Sequence, residues 1–129
     1  MKREILFRGK RVDTGEWVEG SLIWNDVIVG KIVEFEEDYF CTEFWYKVDS
    51  ETVGQFTGMT DKNGTNIFEG DVVRYTDTTS HVVESVNSEI YFDTEMLEFG
   101  LKGVNELFHC QFNDEFEVIG NIHNNPELM

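Results

Sequence analysis

Between Thr52 and Tyr75 the chain carries two β-patterned runs on either side of Asp61-Lys62-Asn63-Gly64, and this segment restricts the fold most. Asn-Gly between alternating apolar residues is the strongest short-range hairpin cue, because both residues tolerate positive φ and the turn then matches the strand twist. The returning run, residues 66–75, is interrupted by Gly70. A glycine inside a strand marks a bulge or a sharp bend. The segment therefore reads as a strand that bends and re-enters, as strands do in small, partly open barrels.

The same pattern recurs along the chain. Residues 5–11 and 17–24 alternate around Asp13-Thr14-Gly15-Glu16, where the aspartate can bond its own backbone and the glycine can take positive φ, so a hairpin is predicted. Residues 27–29 and 32–35 read as short strands around Gly30, Glu36-Glu37-Asp38 as a solvated turn, and residues 39–48 as one further strand. Beyond the polar stretch 76–80, strands are expected at 81–86, 89–92 and 116–122. Residues 95–109 are the one helical candidate, with Met96, Leu97, Leu101, Val104, Leu107 and Phe108 near helical spacing but Gly100 and Gly103 breaking it. The expected fold is mainly β. It has an N-terminal strand region over residues 1–50, and a small SH3-like, partly open β-barrel over 51–129. At most one short helix is expected, and the whole forms one compact unit.

A chain of 129 residues buries about two-thirds of the surface that its unfolded form exposes, enough for a core without staples. Its 11 Phe, 3 Trp and 4 Tyr supply large buried areas that can offset chain entropy. Cys41 and Cys110 stand far apart in no paired motif, and the first eight residues carry charge where an export signal would be apolar. Reduced, mostly core-filling thiols in a cytoplasmic protein are expected. No apolar run approaches the roughly 20 residues of a membrane helix.

The formal charge is −16, and five of the ten basic residues (Lys2, Arg3, Arg8, Lys10, Arg11) fall in the first eleven positions. From Asp13 onward 25 acidic residues face five basic ones, a net −20. Such a surface repels phosphate backbones and anionic membranes, because phosphate binding draws its affinity from Lys and Arg displacing counterions. Direct nucleic-acid binding and membrane binding are not expected. The charge serves solubility, or it suits a basic protein partner.

Three segments together resemble the YopX family, small proteins carried mainly by bacteriophages and prophages. The first is Ile5-Leu6-Phe7-Arg8-Gly9-Lys10 running on to Gly15-Glu16-Trp17-Val18-Glu19-Gly20. The second is Thr52-Val53-Gly54-Gln55-Phe56-Thr57-Gly58-Met59-Thr60-Asp61-Lys62-Asn63-Gly64 with Ile67-Phe68-Glu69-Gly70-Asp71-Val72-Val73. The third is Phe116-Glu117-Val118-Ile119-Gly120-Asn121-Ile122, ending in Asn125-Pro126-Glu127-Leu128. The resemblance spans the chain, although residues 25–50 and 76–112 carry little of it. It implies a largely β protein in a bacterial cell and brings no established activity, so no catalytic residue is carried over.

No segment assembles a recognisable active site. His109 adjoins Cys110, but neighbours on a strand point to opposite faces, and zinc wants about four N/S ligands at paired short spacings. His81, His109 and His123 are therefore expected to ligate no metal, and no cofactor is expected. Asp61-Lys62-Asn63-Gly64 places its glycine fourth, whereas a calcium loop of the EF-hand type needs it sixth. Glu69 and Asp71 would share a face of an unbent strand, and a close carboxylate pair can serve acid–base chemistry when its pKa values are split. Solvent or a bend is the commoner place for such a pair, so a non-enzymatic protein is expected.

The aromatic run 39–46 is different. On one strand Tyr39, Cys41, Glu43 and Trp45 point one way, and Phe40, Thr42, Phe44 and Tyr46 the other. Rings on both faces mean that the strand is covered twice or that one face meets another chain. Tyr39, Phe40, Phe44, Trp45 and Tyr46 are the candidate interface. The functional expectation is an accessory protein that works by protein contact, as a homo-oligomer, with a basic host protein as a further partner. The alternative is an acidic nucleic-acid mimic that occupies a host DNA-binding protein, since duplex DNA carries one charge per roughly 1.7 Å.

Overall fold

A computed structural model describes residues 4–77, 84–95, 97–101 and 116–128. Strands dominate these residues, and among them there is no α-helix; the single 3₁₀ turn is Pro126–Leu128. The chain divides into two compact units, Met1–Phe56 and Thr57–Met129.

The first unit opens with β1 (Phe7–Arg11) and β2 (Trp17–Ile23), joined at the predicted turn. Gly15 takes φ 75°, its N–H donates to the Arg11 carbonyl, and the Arg11 N–H donates to the Glu16 carbonyl. β3 (Val27–Val29) pairs antiparallel with β2 through Ser21↔Val29 and Ile23↔Val27. This pairing needs Gly20, because a Cβ there would lie 2.2 Å from the Val29 carbonyl oxygen.

β6 (Trp45–Thr60) is a single 16-residue strand that runs unbroken through Asp49–Glu51 and continues into the second unit. Its start pairs with β3, Val27↔Lys47 to Val29↔Trp45, and its next stretch pairs with β1, Arg11↔Val48 to Phe7↔Gln55. The order β1-β2-β3-β6 thus returns to β1. A register shift between Arg8 and Lys10 lets β6 turn the corner. Thr52 secures it by accepting from the Lys10 N–H and donating to the Asp49 carbonyl. Ile28, Val29, Val48 and Phe56 are the buried large apolar residues among those described in this unit.

β3 and β6 extend past their shared sheet. The Gly30 N–H donates to the Phe44 carbonyl and the Glu43 N–H to the Lys31 carbonyl. Then β4 (Ile32–Phe35) pairs with β5 (Phe40–Thr42) as a two-stranded sheet of its own. Val33 sits at a register shift between Ile32↔Thr42 and Glu34↔Cys41. The expected single strand over 39–48 is therefore two strands broken at Glu43–Phe44, because the backbone leaves the sheet there.

In the second unit the end of β6 turns at Asp61 into β7 (Asn66–Phe68), and Gly70 bends the chain into β8 (Asp71–Asp77) as predicted. Gly70 adopts φ 92°, where a Cβ is strained. Its N–H donates to the Ile90 carbonyl, and its own carbonyl accepts from the Ile122 N–H. The sheet order is β10-β9-β8-β11, with β9 Glu84–Asp93, β10 Glu98–Leu101 and β11 Glu117–Asn121. Ile67, Val73, Ile90, Leu101 and Phe116 form its core, with Tyr75 and Val118 packed against them.

Three expectations change. β9 is continuous where two strands with a break near residue 87 were expected; the part of that expectation at 81–83 lies outside the described residues. Residues 98–101 of the expected helix are strand β10, because Leu101 opposite Ile90 is buried and Phe99 meets Phe92 edge-on at 5.2 Å. Gly100 costs a helix about 1 kcal/mol, so this pairing prevails easily. Residues 102–109 of that helix lie outside the described residues. Cys41 is exposed rather than core-filling, since no described residue packs over its side of β5; Cys110 lies outside the described residues. The architecture is mainly β with partly closed sheets, short of a clean barrel.

Candidate functional site

A strand normally hides one face, so a run exposed on both is the feature to explain. Residues 31–41 are all exposed, and they hold Ile32, Val33, Phe35, Tyr39 and Phe40. Of twelve exposed large hydrophobic residues among those described, eight lie between Ile23 and Trp45, five of them on this ribbon, so the apolar exposure is concentrated in this part of the first unit. Phe35 is 74% exposed and Trp45 68%. At the ribbon's base Ile23, Val27, Val29, Phe40, Cys41 and Trp45 line an open apolar depression of about 420 Å³.

Of the residues expected at an interface, Phe40 and Trp45 come together on this depression, and Tyr39 is exposed nearer the ribbon tip, its hydroxyl donating to Glu34 Oε1 at 3.0 Å. Phe44 and Tyr46 do not line it. They stack on each other at 5.4 Å, and the Arg11 guanidinium lies 3.7 Å from the Tyr46 ring centroid. Sequence reasoning missed Trp24, which is 87% exposed in the β2–β3 turn with φ 60°. It also missed Ile32, Val33 and Phe35, although apolar residues on both parities of a short strand were legible there.

A second, polar depression of the same unit is lined by Lys10, Arg11, Lys47, Asp26 and Asp49. Its guanidinium is already engaged: Arg11 donates to both Asp13 carboxylate oxygens at 2.9 and 2.7 Å. This hydrogen-bonded pairing raises Arg11 and lowers Asp13 from their ordinary pKa values.

Glu69 and Asp71 do not share a straight strand, because Gly70 bends the chain between them. Asp71 is buried and accepts from the Phe68 N–H at 2.7 Å, so it closes the β7–β8 turn. Asp61 is buried as well. Its Oδ1 accepts from the N–H groups of Asn63 and Thr65, and its Oδ2 from that of Val118. Burial alone would raise this carboxyl, but the Val118, Thr65 and Asn63 N–H groups, with the Lys62 charge, hold it below its ordinary value. Among the described residues no group of three His, Cys, Asp or Glu gathers to hold a metal ion. His81 and His109 lie outside the described residues. No helix among the described residues is long and apolar enough to cross a membrane.

These features define a class: a mainly β protein of two units whose motif carboxylates close turns and whose first unit carries a two-stranded ribbon with exposed apolar residues on both faces. The chain belongs to the YopX family, whose model, described as YopX protein, matches residues 6–129. It is similar to the crystal structure of protein EF1440 from Enterococcus faecalis, with 26% identity and a TM-score of 0.67 over 98% of this chain and 99% of that one. No curated protein matches the sequence.

Proposed function

We propose that this chain is a non-enzymatic phage or prophage accessory protein that works by protein–protein contact, with the β4–β5 ribbon as its contact element. One observation carries the reading: residues 31–41 present exposed apolar side chains on both faces, with nothing among the described residues packed over them. An isolated two-stranded hairpin is marginal in water, and exposed apolar strands invite aggregation. Contiguous exposed apolar surface of this kind marks sites where another surface binds. Tryptophan and tyrosine, present here as Trp24, Trp45 and Tyr39, carry much of the energy in such contacts. A second copy and a basic host protein are the two candidate partners.

Site-specific photocrosslinking from position 33 in bacterial cells tests the reading. Adducts are expected with the native ribbon and lost in Phe35→Ser/Phe40→Ser, at unchanged fold by circular dichroism. Equal adducts from the native and the substituted ribbon would sink it.

A further inference from the structure

The charge on the ribbon discriminates between the candidate partners. Residues 31–43 hold Glu34, Glu36, Glu37, Asp38 and Glu43 against Lys31 alone, a net −4, and all six are exposed. Two of the carboxylates are held along the ribbon, Glu34 by the Tyr39 hydroxyl and Glu43 by the Lys31 N–H. The apolar depression beside them carries no charged residue. The whole is an apolar patch with an acidic rim.

A second copy docked ribbon to ribbon would bring ten carboxylates and two ammonium groups into one contact. At physiological ionic strength screening acts over about 8 Å, too far to separate charges across an interface. Like-charge juxtaposition suppresses a partner, and opposite charge on the rim selects one. The exposed faces of Trp24 and Trp45 add a preference of the same sign, because indole rings attract cations.

We infer that the ribbon docks a protein segment whose apolar side chains are flanked by Lys or Arg, in preference to a second copy of this chain. The inference rests on the ribbon being the contact element.

The test uses the full chain and two synthetic strand peptides with identical apolar residues, one with lysine and one with glutamate at the alternate positions. Tryptophan emission reports docking, since Trp24 and Trp45 are exposed. The lysine peptide is expected to shift emission to the blue with saturation, and the glutamate peptide to bind roughly tenfold more weakly or less. Glu36→Lys/Glu37→Lys, which brings the ribbon from −4 to zero, should abolish that preference. Glu95→Lys/Glu127→Lys, an equal charge change in the second unit, should leave it intact. Equal weakening by both pairs would mean that only overall charge is sensed, and would overturn the inference. So would a failure of the lysine peptide to bind. A concentration-dependent dimer in light scattering, abolished by Phe35→Ser/Phe40→Ser, would also overturn it in favour of a second copy, while leaving the ribbon as the contact element.

Discussion

The Asp61 carboxylate accepts a hydrogen bond from the Val118 N–H at 2.9 Å, joining positions 57 residues apart. Its other oxygen holds the N–H groups of Asn63 and Thr65, so one side chain organises the β6–β7 turn and ties it to β11. The Lys62 N–H donates to the Phe116 carbonyl beside it, and the Lys62 ammonium stands 3.5 Å from Glu117.

Removing that carboxylate leaves three backbone donors without their acceptor. Hydrogen bonds to charged groups contribute about 1.5–3 kcal/mol each, not additively. Asp61→Ala is expected to lower unfolding free energy by about 2–4 kcal/mol, read from the urea midpoint at unchanged slope. A loss under about 1 kcal/mol would show that water replaces the clamp.

The same clamp predicts an acid limb. Because the folded Asp61 carboxyl lies below its ordinary value, its contribution is complete above the unfolded pKa of about 3.9 and is lost as pH falls through the folded value. Asp61→Asn imitates the protonated group. Urea midpoints of the native and Asp61→Asn proteins should differ most near neutrality and converge as pH drops below about 4. A gap constant with pH would contradict the assignment.

Gly70 and Gly20 separate two reasons for glycine. At Gly70 a Cβ would meet His123 at an ordinary 3.6 Å, so Gly70→Ala is strained only by φ 92° and should cost about 1–2 kcal/mol. At Gly20 the obstacle is the Val29 carbonyl itself, which cannot move without parting β2 from β3. Gly20→Ala should cost more than Gly70→Ala. Amide exchange would show faster opening confined to β2–β3 for Gly20→Ala, and its absence would refute the steric account.

Two phenylalanines give the sharpest contrast in stability. Phe116 is 1% exposed and meets Tyr75 edge-on at 5.6 Å, so Phe116→Ala should cost about 3–5 kcal/mol. Phe35→Ser, on the open ribbon, should stay within about 0.5 kcal/mol of the native protein. A large loss at Phe35 would mean that the ribbon is packed in solution, most simply against a partner copy.

The hairpins were legible because their turns are local. Asp13-Thr14-Gly15-Glu16 and Asp61-Lys62-Asn63-Gly64 state their geometry within four residues, and Gly70 announced its bend in the same way. Strand β10 was not, since its partner Phe92 lies across a turn and the helical spacing of Met96, Leu97 and Leu101 competes with it. The break at Glu43–Phe44 was hidden too, because alternation continues through it.

The candidate site was half legible. Rings on both parities of residues 39–46 signalled an unusual surface, but only the fold separated Phe40 and Trp45, which line the depression, from Phe44 and Tyr46, which stack on each other with Arg11 over the Tyr46 ring.

The sequence by itself determined the β character, the turns and the acidic charge, for these follow from backbone permission, side-chain alternation and composition. Tertiary structure alone decided which carboxylates are spent closing turns, where β6 pairs with β3 and then with β1, and which apolar side chains stay in water. Burial depends on what lies opposite a strand, and alternation along a chain carries no record of whether anything does.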